Sequence, residues 1–438
     1  TEKLALLGVY TDRYRNVPPL DTIDADLDLR LINGETNLSL GTPAGHFSAR
    51  HRFEVPLPTL TLGVYRVVAV RKGTDDVIAR SNPLEIIEDV DERPRIYWGE
   101  IHGHSEMSDG LGDFSEMFRL VRQDAAFDFC AGADHACYMS DNEWLWMQDV
   151  TNSRNEEGHF VTLIGYEWAG KQVHRNVYTS RDRLKLFRGM YEPTRRLDAV
   201  WNHFHGDHDV GGGPHGGLAH GLLWEYHDPD VQRFVEIYSM WGANDTRDNP
   251  LVPEFARANP RGLTANELLQ RGAKLGFTGG GDCHEGRSGF SAEDPDGQGT
   301  TAHTFAAVLF YRSGMTAAVM PALERKALIR AIRERHTYAT TGARLLLDFG
   351  VGGVPMGEEG RTDQAICHAT VHGVSPLQAI EIVKDGAVVW AASYDALDAA
   401  IAWEDPTALV GEHYYYLHVI QQDGQQAWSS PVWIIPKQ

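Results

Sequence analysis

The chain has 438 residues, with 40 Lys plus Arg against 61 Asp plus Glu and a formal net charge of −21. That balance disfavours nucleic acid and anionic membrane as partners, because both reward basic surface. We read the acidity as solubility. No run of about 18 apolar residues occurs, so no membrane-spanning helix is expected.

Residues 1–92 alternate in the manner of strands, as in His51-Arg-Phe-Glu-Val-Pro-Leu57 and Tyr65-Arg-Val-Val-Ala-Val70, punctuated by Gly34, Gly41, Gly45, Pro56 and Pro58. They form a predicted β-rich N-terminal module. Residues 93–345 alternate apolar strands with helical stretches, which suggests βα units. In the helical stretch Leu323–Arg335, Leu328, Ala331 and Ile332 share one face. Residues 346–438 return to short strands and form a predicted β-rich C-terminal module. The outer segments share a pattern. Tyr65–Val70, a turn, then Ala79-Arg-Ser-Asn-Pro83 resembles Tyr415–Ile420, a turn, then Ala427-Trp-Ser-Ser-Pro431. Each reads as a hairpin whose second strand reopens after a Ser-x-Pro kink. They suggest two β-sandwich-like modules, or strands from both ends joining one sandwich.

The chemistry concentrates in the middle segment. In Tyr97-Trp-Gly-Glu-Ile-His102-Gly-His104, alternate strand residues share a side, so His102 and His104 can converge on one ion. Neutral imidazoles are the commonest ligands of zinc-like metals. Asp109-Gly110 follows in a loop. Phe127-Asp-Phe129 leads to Asp134-His135, Phe160–Ile164 leads to Glu167, and His174 opens the apolar run to Tyr178. Ala199–His203 reads as another strand tip, and Leu275–Gly281 runs into Asp282-Cys283-His284. Each element sets His, Asp or Glu at the tip of a predicted strand. Buried groups of these types need partners, and metal ions supply them.

This order of motifs resembles the PHP (polymerase and histidinol phosphatase) superfamily over roughly residues 95 to 345. Gly165–Trp168, His174–Val177, Val235–Ser239 and Tyr338–Gly342 are similar, more narrowly, to an uncharacterised branch known as a domain of unknown function. The resemblance implies an α/β fold, a distorted (βα)7 TIM-like barrel, with three metals at the C-terminal mouth of its strands. Carried over by motif, the first metal takes His102, His104, Glu167 and Asp282. The second shares Glu167 and adds His174 and His203, with His205 as a replacement for His203. The third takes Asp109, His135 and His284, a structural Asp-Gly turn being the competing reading of Asp109.

Two or three divalent ions are expected. Mn, Fe or Zn would serve, since mixed His and carboxylate ligation does not choose among them. Three such ions against Asp109, Glu167 and Asp282 leave a site about three units positive, which suits an anionic small molecule. Water bridging such ions ionises near neutral pH and becomes the nucleophile. The expected function is therefore a metal-dependent hydrolase, a phosphomonoesterase or phosphodiesterase of small molecules. The alternatives are a hydrolase or lyase of a lactone, amide or aromatic acid, and a non-catalytic module with a vestigial site.

Trp201–His220 is rich in Gly and His and reads as a flexible loop overhanging the mouth. His205, His208, His215 or His220 could supply a general acid or contact substrate, with idle solvated histidines as the competing reading. His205 is favoured, since it lies nearest a predicted ligand. Arg175 and Arg287 are candidates to grip substrate oxygens, or to pair with carboxylates such as Glu236 or Glu285. Trp168, Trp201, Trp224 and Trp241 offer an aromatic wall or simply core. Cys130, Cys137, Cys283 and Cys367 form no Cys-x-x-Cys pair, which fits a reducing, cytoplasmic setting. The first residues are too short and polar for a signal peptide. Because the chain begins at Thr1, a removed leader and a periplasmic location stay open.

Overall fold

The computed structural model describes residues 5–9, 27–34, 36–42, 52–88, 94–170, 173–189, 196–221, 226–284, 286, 288–289, 312–407 and 409–437. Arg95–Gly103, Phe129–Gly132 and Val161–Gly170 are neighbouring parallel strands. Phe129–Gly132 is buried at every position and Val161–Gly170 at all but its last, as a sheet covered on both faces requires. Val173–Thr179 and Val210–Pro214 extend the sheet antiparallel on one side. Met315–Met320 and Thr337–Thr340 extend it antiparallel on the other.

A second, smaller sheet holds Phe234–Ser239 parallel to Gly276–Gly279, with Gly242–Ala243 at its edge. The two sheets touch through single bridges, Gly212 to Gln232 at one end and Gly103 to Cys283 at the other. Among the described residues the strands do not close into a barrel. The (βα)7 pattern is thus not shown, and one departure from it is local. Val161–Gly170 runs almost directly into antiparallel Val173–Thr179, which leaves no length for the helical crossover a parallel neighbour needs.

Helices cover the sheets. Asp141–Arg154 starts at a capping box formed by Ser140 and Glu143. Arg325–Arg333 buries Leu328, Ile329, Ala331 and Ile332, the predicted apolar face. Its buried Arg325 is fixed by donation to Thr162 O and Asn152 Oδ1.

The C-terminal strands continue the central sheet through the pairing of Thr337–Thr340 with Gln426–Ser429. Leu346–Val351, Ile366–His372 and Asp398–Glu404 form a further antiparallel sheet, whose Leu347, Phe349 and Val371 share a core with Leu377, Ile380, Leu417 and Val419. The N-terminal strands have their own small core of Leu29, Leu31, Val55, Tyr65 and Val67. Buried Arg66 links them to the C-terminal sheet by donating to Gly373 O and to both oxygens of Asp398.

The two hairpins resemble each other in detail. Gly63–Arg71 pairs with Val77–Arg80 and then with Leu84–Ile86, as His413–Gln421 pairs with Gln426–Ser429 and then with Val432–Ile435. In each kink a serine hydroxyl accepts from the first strand, Ser81 Oγ from Val67 N and Ser429 Oγ from Leu417 N, both at 2.9 Å.

The largest departure from expectation lies between residues 197 and 215. Leu197–Phe204 is a helix rather than a strand tip. Leu197, Val200, Trp201 and Phe204 recur at the helical spacing and are its buried face. The run Val210–Pro214, read as loop, is a fully buried strand. Its glycines admit their neighbours. A Cβ on Gly212 would meet the Trp201 ring at 3.2 Å, and one on Gly213 would collide with the backbone oxygen and ring of Phe234. At Gly211 a Cβ would make only ordinary contacts, the nearest at 3.5 Å. Gly213→Ala should therefore destabilise the fold by about 1–3 kcal/mol or more, while Gly211→Ala stays within roughly 1 kcal/mol. Urea unfolding of the two variants checks this, and equal stability would contradict the packing described.

Candidate metal centre

The parallel strands deliver their polar tips to one cleft. His102 lies near the end of Arg95–Gly103, and His104 follows with its N–H bonded to Cys283 O at 2.9 Å. Their Nε2 atoms are 3.3 Å apart. Glu167 Oε2 lies 3.3 Å from His102 Nε2 and 3.2 Å from His104 Nε2, and Asp282 Oδ1 lies 3.4 Å and 3.0 Å from the same atoms. These four residues form one buried group whose ligand atoms all fall within 4.8 Å of one another.

His104, Asp109, His135 and His284 form a second such group. Asp109 lies 3.5 Å from each of the three imidazoles, and the His104 and His284 rings stack at 4.0 Å. His135, Glu167 and His174 form a third, with His174 Nδ1 against Glu167 Oε1.

Eight predicted ligands are thus brought together: His102, His104, Asp109, His135, Glu167, His174, Asp282 and His284. His203 is not among them. It lies on the exposed side of its helix, its ring 5.1 Å from Phe187. This corrects its predicted place, because a helix turns its neighbours away where a strand tip would have aimed it inward. His215 stands at the cluster instead, at the end of the glycine strand. It is fully buried, its Nε2 is 2.9 Å from Glu167 Oε1, and its Nδ1 is 3.5 Å from Asp282 Oδ2. His220 joins it in a group with Asp282 and stacks on His174 at 4.6 Å. The helical spacing of residues 197–204 was the available signal that His203 would not serve.

The other substrate-contact candidates fall elsewhere. His205 is 64% exposed and bonds Asp228 at 3.1 Å. His208 meets Arg333. Arg175 alternates with His174 and Asn176 along its strand and so faces away from the cluster. It is buried there, donates to His174 O, and burial lowers its pKa to about 9. Arg287 lies outside the described residues, as do Glu285 and Trp224.

An outer layer orients the ligands. Glu236 Oε2 is 2.8 Å from His102 Nδ1, and Asn176 Nδ2 is 3.1 Å from the same nitrogen. Asp134 accepts from Ser105 N, Ser105 Oγ and Ser108 Oγ and so folds the loop that carries Asp109. Trp241 Nε1 donates to Asp282 Oδ2. Glu100 Oε1 accepts from His102 N at 2.8 Å and Gly281 N at 2.9 Å, tying the two sheets together behind the site. A side chain on Gly280 would collide with Glu236 and approach His102 Cβ to 2.7 Å, so only glycine lets this strand end come so near.

The electrostatics set buried acids and bases against one another. Burial by itself would push His104 down, but Asp282 and Glu167 raise it to about 10. His102 is likewise depressed by burial yet held well above its ordinary value by Glu236, Asp282 and Glu167. Burial would raise Glu167 and Asp282, and the surrounding imidazoles hold both well below the carboxylate range. Positive charge on these imidazoles is favoured by the carboxylates, and a divalent cation would answer the same carboxylates. Buried His135 Nδ1, His215 Nδ1 and Glu236 Oε1 also have no hydrogen-bond partner. Closely set imidazole and carboxylate atoms with such orphans fit divalent cations.

Residues 116–193, which include His135, Glu167 and His174, match the model of a family described as a protein of unknown function (DUF3604). An uncharacterized protein of Chlamydia pneumoniae is 28% identical over 406 residues, covering 85% of this chain and 62% of its own length. Another, of Chlamydia muridarum, is 25% identical, covering 97% and 70%. The chain thus spans 62% and 70% of the lengths of these relatives. A solved two-domain protein of Bacteroides vulgatus, described as containing a predicted PHP-like metal-dependent phosphoesterase, is 11% identical with a TM-score of 0.40, covering 81% of this chain and 99% of its own.

Two outcomes are expected. His215→Ala should lower metal content on elemental analysis, whereas His203→Ala should leave it at the parent level; the reverse would restore the strand-tip reading. Because raised imidazoles hold protons in the metal-free site, metal must displace them. Affinity should therefore fall as pH falls, and binding should release protons. Calorimetry in two buffers of different ionisation enthalpy reads this directly.

Proposed function

We propose that the chain is a metal-dependent hydrolase acting on small phosphate mono- or diesters. The observation that carries this reading is the convergence of imidazoles and carboxylates in one buried cleft, with ligand atoms in overlapping groups. His102, His104, Glu167 and Asp282 would hold one ion, Asp109, His135 and His284 with His104 another, and His174 and His215 with Glu167 a third. We read the two sheets as the walls of a distorted, incomplete barrel around them. Divalent ions so held would bring the pKa of water to about 7 and offset charge on a transferring phosphoryl group.

The chain's own residues contribute position and exclusion. Glu236 and Asn176 fix the His102 ring, Asp134 fixes the loop bearing Asp109, and Trp241 fixes the Asp282 carboxylate. His220 is held neutral, since burial takes its pKa down to about 3, with His174 and His215 acting the same way. As a neutral imidazole it offers substrate a hydrogen-bonding group beside the cluster.

One observation favours a second reading. By strand alternation Arg175 falls on the face opposite His174 and Asn176, away from the side on which a phosphate would be gripped. A neutral carbonyl substrate, such as a lactone or amide, needs no such grip, and the same ions would polarise it.

The deciding experiment is metal analysis of the purified, metal-supplemented chain with turnover of p-nitrophenyl phosphate, its diester and p-nitrophenyl acetate. Hydrolysis of a phosphate ester is expected. His102→Ala and Asp282→Ala should each cost more than the roughly 10–100-fold typical of outer-layer partners and should lower metal content. Acetate turnover alone would favour the carbonyl reading. Far less than one ion per chain would leave a binding module.

A further inference from the structure

We propose that the chain binds a small phosphate-bearing anion in a pocket lined by Arg233, Lys326, Arg330 and Arg333, at the strand ends opposite the ligand cluster. The pocket holds about 420 Å³, which is room for a small organic ion. Two strands fix its place. Arg333 donates to Val210 O at the start of Val210–Pro214, and His215 follows the far end of that strand at the cluster. Arg233 immediately precedes Phe234–Ser239, while Glu236 within that strand reaches His102. The pocket is therefore separate from the candidate ligands and does not depend on the hydrolase reading.

The lining side chains differ in whether their charge is already answered. Lys326, Arg330 and Arg333 recur at spacings of four and three, so they share one face of the helix Arg325–Arg333. Arg333 is paired, donating to Asp230 Oδ1 at 3.1 Å and meeting His208 Nδ1 at 3.2 Å. Lys326 and Arg330 are exposed and have no acidic partner among the described residues. Arg233 donates to carbonyl oxygens, Arg333 O at 2.8 Å and Pro229 O at 3.1 Å. Burial, with Arg335 and Arg333 close by, brings its pKa down to about 10. Three carboxylates also line the pocket, and each is engaged already. Asp230 accepts from Gly206 N as well as from Arg333, Asp209 accepts from Ser180 Oγ and Arg181 Nε, and Glu334 lies 3.8 Å from His336. Arg233, Lys326 and Arg330 thus line one cavity with no carboxylate bonded to them, in a chain of net charge −21. Like charges gathered at one cavity repel, and an anion among them removes the repulsion. Guanidinium groups match the oxygens of phosphate, and an ammonium adds a point charge to the same group.

The test is calorimetric titration of inorganic phosphate into the manganese-loaded full chain, freed of excess ion, in about 0.15 M NaCl, which screens general surface charge. A phosphate-binding phase is expected. Lys326→Ala and Arg330→Ala should each weaken it at least about threefold, and the double variant about tenfold or more. Both side chains are exposed, so their removal leaves no core cavity. Phosphate held by metal ions in the cleft would bind parent and double variant alike, so failure of the hydrolase reading leaves this outcome untouched. No phosphate phase under these conditions, or one that the double variant keeps in full, would overturn the proposal.

Discussion

Everything in the middle of this molecule answers to one electrostatic demand. His102, His104, Glu167, His215 and Asp282 are almost entirely removed from water, and their acidic and basic atoms lie about a hydrogen bond apart. Charges taken out of water are costly unless closely paired. The carboxylates of Glu167 and Asp282 raise the pKa of His102 and His104, so each kind of group favours charge on the other. Divalent cations answer the same demand with more charge and more directed bonds, which is why this arrangement reads as a metal centre.

The surrounding fold holds the demand in place. Parallel strands end at the cleft with their polar residues exposed to one another, and the outer layer removes their rotational freedom. Glu100 is the deepest of these supports. Burial pushes its carboxyl up to about 8, and its Oε1 accepts from the backbone on both sides of the seam between the two sheets. Gly280 and Gly281 exist at that seam because any side chain would strike Glu236 or Glu100. The cleft is therefore a joint between two sheets, held in part where Glu100 accepts from backbone N–H groups of both.

The flanking strands bear on this only indirectly. The C-terminal strands lengthen the central sheet beyond Thr337–Thr340, so the wall behind the site is anchored in a broad β core. The N-terminal sheet is attached by a narrower connection, in which Arg66 is the buried element. The repeated Ser-x-Pro hairpin shows one solution used at both ends: proline withdraws a donor from the edge, and a serine hydroxyl takes up the strand N–H left facing the kink.

Much of the candidate site was legible in the chain itself, because its pairs are local. His102-x-His104 uses the two-residue period of extended backbone, and apolar runs before His135 and Glu167 mark strands that must end in something polar. The position of His215 was not. Val210-Gly-Gly-Gly-Pro214 has a loop's composition, and it is a strand only because Trp201 and Phe234 occupy the space side chains would need. Nor could local pattern show that Val173–Thr179 folds straight back, antiparallel, on Val161–Gly170. Periodicity in sequence records which face a residue takes within its own element. Which elements lie close enough to forbid a Cβ, or to share a carboxylate, is fixed by packing between distant segments, and only the tertiary structure decides it.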